Sequence, residues 1–108
     1  MLGAIIGDIV GSPYEFDMGE KIKDFGPLFS VESIYTDESV MTIAVAEGIM
    51  NAGLSASDDD IKREVVKSMK DWGERYPHAG YGGKFSRWLT DYFSQPYGSY
   101  GIGSAMRV

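Results

Sequence analysis

Thr36, Asp37 and Glu38 place a hydroxyl and two carboxylates side by side at the mouth of a strongly apolar segment. Oxygen donors of this kind suit a hard divalent cation such as Mg²⁺. The same residues also suit a helix start, with Thr36 or Asp37 as the N-cap and Glu38 favouring the positive end of the helix dipole. Both readings stay open on spacing alone. Two further carboxylates, Asp8 and Glu15, lie in "GDIVGSPYE", close to glycines. The chain closes on "GIGSAMRV", where two glycines lead into a short helix-forming run. The unpaired N–H groups of a helix start attract anions, so this stretch reads as part of a phosphate cradle.

The elements that must position these groups read as helices. In "LGAIIGDIVGSPYE", Gly3, Gly7 and Gly11 recur every fourth residue and share one face, which points to close approach by another backbone; Pro13 ends the helix. Residues 16–35 show no sustained period and form a long connection. Val40, Met41, Ile43, Ala44, Val45, Ala46, Ile49 and Met50 leave almost no polar face, so the third segment is expected to be a central buried helix stopped at Gly53. In "SDDDIKREVVKSMKDWGERYP", Ile61, Val65, Met69 and Trp72 keep helical spacing. Asp58, Asp59 and Asp60 fit the first turn of that helix as capping and dipole chemistry rather than as a calcium loop. "HAGYGGK" then leads to "FSRWLTDYF", where Phe85, Trp88, Leu89, Tyr92 and Phe93 make one apolar stripe. His78, the single histidine, reads as a loop residue.

Composition narrows the partners. A net charge of −6 with no basic run argues against a nucleic-acid partner. The absence of cysteine excludes disulfides, thiolate metal sites and a Cys nucleophile, and fits the cytoplasm. The apolar N-terminal run is short, carries Asp8 and lacks a positive flank, so neither a signal peptide nor a membrane span is expected.

Taken in order, "GAIIGDIVGSPYEF", "TDESVMTIAVAEG", "YPHAGYGGKFSRWL" and "PYGSYGIGSAMRV" closely resemble the N-terminal part of the ADP-ribosylglycohydrolase family, of the dinitrogenase-reductase-activating-glycohydrolase type. The resemblance spans nearly all 108 residues, as a single domain. It implies an all-α helical bundle that removes ADP-ribose from proteins or small acceptors with a pair of divalent ions, Mg²⁺ or Mn²⁺. By resemblance, Thr36, Asp37 and Glu38 fall on the family's Thr-Asp-Asp metal triplet. Glu15 falls on the acidic residue tied to the metal site or to attack on the ribose, so Glu15 and Asp37 are the implied catalytic residues. Gly80, Tyr81 and Gly82 match a loop that holds the ribose and diphosphate. Gly101, Gly103, Ser104 and Met106 match the cradle. Tyr81, Tyr97 and Tyr100 are candidates to stack on the adenine.

Cleavage of a glycosidic bond to ribose passes through an oxocarbenium-like centre, so negative charge near the ribose and an activated water are what the chemistry needs. Paired metals roughly 3.5–4 Å apart supply both functions in hydrolases of this kind. Three departures from the family pattern stand out. Glu38 replaces the usual second Asp, Ile102 stands where the cradle carries a polar residue, and the second acidic motif, of the Gly-Asp-Thr-Asp-Thr type, does not occur in these 108 residues. Family members continue well beyond this length, so the chain is expected to be a truncated member that exposes apolar helix faces and self-associates. Robust turnover by the chain alone is not expected. The readings are then a metal-assisted ADP-ribosyl hydrolase, a non-catalytic relative that self-associates and binds ADP-ribose, or a helical interaction module.

Overall fold

The computed structural model describes residues 1–16, 24 and 26–106. Among the described residues five α-helices follow one another and there is no strand: α1 (Leu2–Gly11), α2 (Asp37–Ala52), α3 (Asp58–Arg75), α4 (Gly83–Thr90) and α5 (Gly103–Met106). A 3-10 turn at Ser12–Tyr14, with Pro13 inside it, ends α1. The all-α expectation therefore holds, as do the helix stops at Pro13 and Gly53.

The fold is built around α2 and α3, joined by a five-residue link and packed as a helical hairpin. Ser57 starts α3 with a full capping box: its hydroxyl accepts from the Asp60 amide, and the Asp60 carboxylate accepts from the Ser57 amide. Ser57 and Arg63 together hold the Asp60 carboxyl down at about 2. The acidic triplet is thus capping chemistry, as its position in the first turn suggests.

Two glycines let the helices meet. A Cβ at Gly48 would lie 2.5 Å from the Cα of Val65, so α2 crosses α3 there in backbone contact. At Gly73, a Cβ would meet the Leu89 side chain at 2.9 Å, which fixes how closely α4 lies on α3. Between them Glu47 accepts hydrogen bonds from the Ser68 hydroxyl (2.6 Å) and the Trp72 indole N–H (2.7 Å). These two bonds hold the Glu47 carboxyl below its ordinary range, with a further contribution from the charge of Arg75.

The core is small. Val40, Met41 and Ala44 are buried, with Met69, Trp72, Ala79, Tyr81, Phe85 and Leu89 packed around them. The expectation of a uniformly buried α2 holds only for its first three turns. Ile49 and Met50, in its last turn, are 51% and 79% exposed. The apolar stripe through α4 is also shorter than its spacing suggests. The helix stops at Thr90, and Tyr92 and Phe93 stand exposed beyond it. Asp91 adopts extended backbone and its carboxylate accepts from the Phe93 amide, a local turn that competes with another helical turn. Lys70, donating to the Asp91 carbonyl and the Ser94 hydroxyl, pins that turn to α3.

Candidate functional site

Thr36 is the N-cap of α2: its backbone is extended and its hydroxyl accepts, at 3.4 Å, from the Glu38 amide. Much of the capping comes from elsewhere. Asp8, midway along α1, accepts from the Thr36 amide (2.8 Å) and the Ser39 amide (3.1 Å), and from the hydroxyls of both residues. One turn later Ser12 accepts from the Ile34 amide at 2.9 Å while donating to the Ile9 carbonyl. Through these two side chains α1 grips the segment that leads into α2.

The gripping face also lines a cavity. Ala4, Gly7, Asp8 and Gly11 follow the i, i+3, i+4, i+7 rhythm of one face of α1, and Ser12 and Glu15 continue the same wall into the 3-10 turn and beyond it. They border an open cavity of about 690 Å³, lined elsewhere by Thr36, Glu38, Thr42 and Gly101–Gly103. The expectation that the glycines of α1 accommodate another helix needs correction. Among the described residues, no atom apart from their chain neighbours and the helix's own nearby backbone lies within 4 Å of a Cβ built at Gly3, Gly7 or Gly11. Gly7 and Gly11 instead keep the floor of the cavity low. The glycines that meet backbone or side chain closely are Gly48 and Gly73.

A second cleft, of about 450 Å³, opens on the other side of Glu38. Asp37, Glu38, Gly82, Gly101, Gly103 and Ser104 form its polar edge, and Met69, Phe85, Trp88, Pro96 and Tyr97 its apolar wall. Phe85 and Trp88 stack there nearly parallel, with ring centres 5.6 Å apart. Glu38, Gly101 and Gly103 border both cavities and so stand between them. Gly80, in the left-handed region at φ +99°, brings the loop before α4 against Asp37; a Cβ there would sit 4.0 Å from the Asp37 Oδ1.

The two cavities thus bring together Glu15, Thr36, Asp37, Glu38, Gly82, Gly101, Gly103 and Ser104, with Gly80 beside Asp37. Tyr81 goes elsewhere: its ring meets Phe85 edge-on at 5.8 Å beside the core, and it lines a separate hollow between α3 and α4. Tyr97 lies on the second cleft, whereas Tyr100 is exposed beneath the Lys84 ammonium. Met106 closes α5, and its side chain lies outside the described residues. His78 is an exposed turn residue. Asp8 is the residue whose role sequence reasoning missed. Its one signal was a lone carboxylate in the middle of an apolar helix.

The donors at the start of α2 are right in kind for a hard cation, but their arrangement is open. Among the described residues, no group of three or more His, Cys, Asp or Glu side chains is gathered closely enough to hold a metal ion. Thr36 already donates its hydroxyl proton to Asp8 and accepts from Glu38. The described residues therefore do not form a closed metal centre. No helix among them is long and apolar enough to cross a membrane.

The chain is thus an all-α domain with the carboxylates of Asp37 and Glu38 at the mouth of α2, beside two glycine-edged clefts. A sequence model of the ADP-ribosylglycohydrolase family matches residues 1–108, the whole chain, and the chain belongs to that family. No curated protein and no solved structure matches it.

Proposed function

We propose that this chain binds the ADP-ribosyl group across its two adjoining clefts and acts on the N- or O-glycosidic bond of ADP-ribosylated substrates. Family membership supports the reaction class. The single observation that carries the location is Glu38, the carboxylate that borders both cavities together with Gly101 and Gly103. The aromatic wall of Phe85, Trp88 and Tyr97 suits the adenine, and the glycine edges suit the diphosphate. The ribose then lies toward Glu15, Asp37 and Glu38, whose negative charge favours an oxocarbenium-like centre and whose oxygens can orient a water.

The same observation favours a second reading, in which the chain binds ADP-ribose without hydrolysing it. Calorimetric titration with ADP-ribose, with and without Mg²⁺ or Mn²⁺, followed by a turnover assay on an ADP-ribosylated substrate, separates the two. Saturable binding with release of ADP-ribose supports the hydrolase, and binding without release supports the second reading. No heat from a folded sample overturns both and favours an interaction module.

We also propose self-association. Leu2, Leu28, Phe29, Val31, Ile34, Met50 and Leu54 are each more than half exposed, which is a large apolar area for a chain of this size.

A further inference from the structure

We infer that Asp8 is a positioning residue, which sets the placement of Asp37 and Glu38 by holding Thr36 and Ser39 on either side of them. The inference deepens the proposed function and rests on it only for the ligand.

The carboxylate of Asp8 accepts four hydrogen bonds, two from Thr36 and two from Ser39. Those residues bracket Asp37 and Glu38 in the chain. Asp8 Oδ1 takes the Thr36 hydroxyl, and Oδ2 takes both amides and the Ser39 hydroxyl. Thr36 alone is a poor cap, since its hydroxyl is 3.4 Å from the Glu38 amide, beyond the usual 2.7–3.2 Å. The first turn of α2 is therefore oriented from α1 rather than by its own residues. Ser12, the first residue of the 3-10 turn, holds Ile34, and Glu15, just past that turn, lines the same cavity as Asp8. One rigid bracket thus carries Glu15 on one arm and fixes Asp37 and Glu38 on the other.

Asn is the informative substitution. It keeps the size of Asp8 but removes the negative charge and leaves one acceptor oxygen where two are used, so the Thr36 hydroxyl must reverse from donor to acceptor to meet the NH₂. The control is Glu47→Gln, which weakens the tie between α2 and α3 but does not border either cavity.

The experiment measures amide exchange and backbone resonances of the ¹⁵N-labelled full chain, together with ADP-ribose affinity. Asp8→Asn is expected to speed exchange at Thr36 and Ser39 about tenfold beyond any change at α3 amides, the equivalent of one lost hydrogen bond to a charged group. It is also expected to shift the Asp37 and Glu38 resonances and weaken ADP-ribose binding by a similar factor. Glu47→Gln is expected to leave these three readouts as in wild type. Exchange at Thr36 and Ser39 that stays at the wild-type rate in Asp8→Asn overturns the inference. So does acceleration spread evenly over α2 and α3. If the wild-type chain takes up no ADP-ribose, the proposed function falls while the exchange and resonance readouts still decide the role of Asp8. Should Asp8→Asn not fold, Ser39→Ala removes one of the four bonds at little change in volume, and unmoved Asp37 and Glu38 resonances in that variant overturn the inference equally.

Discussion

Gly48 meets Val65 backbone to backbone: a Cβ on Gly48 would stand 2.5 Å from the Val65 Cα and 2.8 Å from its amide nitrogen. No rotamer change relieves that clash, because the obstructing atoms are main chain. Gly48→Ala is expected to force α2 and α3 apart and cost about 1–3 kcal/mol of stability. Gly7→Ala is the opposite case, since nothing lies within 4 Å of its added carbon. It is expected to stabilise by roughly 0.5–1 kcal/mol through helix propensity alone. Denaturant melts of the two variants check both signs.

Two carboxyls make stability fall in acid. Glu47 is held below its ordinary value of 4.5 by Ser68 and Trp72, and Asp60 is lowered from 3.8 to about 2 by Ser57 and Arg63. A lowered folded-state pKa stabilises the fold above the unfolded value, and that contribution is lost as pH falls through the folded one. The thermal midpoint is expected to decline between about pH 5 and pH 2. Glu47→Gln is expected to flatten the upper part of that decline, and an unchanged pH profile would remove Glu47 from the explanation.

Ser57 caps α3 with no help from tertiary contacts in the hydrogen bonds of its box. Ser57→Ala is expected to cost about 1 kcal/mol. Circular dichroism of α3 unfolding reads this directly, and a silent variant would mean that hairpin packing alone holds the helix start.

At the candidate site, if the chain releases ADP-ribose from a substrate, Asp37→Ala is expected to abolish that release. Its effect on folding should be at most about 1 kcal/mol, the size of a carboxylate's interaction with a helix dipole. A turnover assay paired with a melt tests this, and an unchanged rate rules out Asp37 as a participant.

Sedimentation velocity tests self-association. A dimer or larger species is expected from the exposed apolar residues on α1, in the segment before α2 and around the end of α2. A monodisperse monomer counts against it.

Much of this architecture was legible in the residues. Helical spacing located α1 to α4, Pro13 and Gly53 marked two helix ends, and the Asp58–Asp60 run read correctly as capping chemistry. What could not be read was partnership across distance. Asp8 is only a stray acidic residue until the chain brings it to groups 28 and 31 positions later. The four-residue glycine rhythm in α1 identified a face but not its neighbour, so a cavity floor looked like a packing seam. The close contact at Gly48 left only a weak trace, a helix-disfavouring residue inside an apolar helix. At the end of α4 a short Asx turn overrode an apolar pattern that ran on to Phe93. Within the site, Gly82, Gly101, Gly103 and Ser104 converge on the carboxylates, whereas Tyr81 is drawn toward the core by its contact with Phe85.

The placement of the two tryptophans has an optical consequence. Trp72 gives its indole proton to Glu47 and stacks on Tyr76 at 5.5 Å, so its emission responds to the charge state of that carboxyl. Trp88 forms part of the cleft wall with Lys70 lying 5.4 Å from its ring centre, so its emission is expected to change when a ligand displaces solvent from the cleft. The chain therefore carries two separate intrinsic fluorophores, one reporting the α2–α3 tie and the other cleft occupancy. Replacing either tryptophan by Phe isolates the signal of the other.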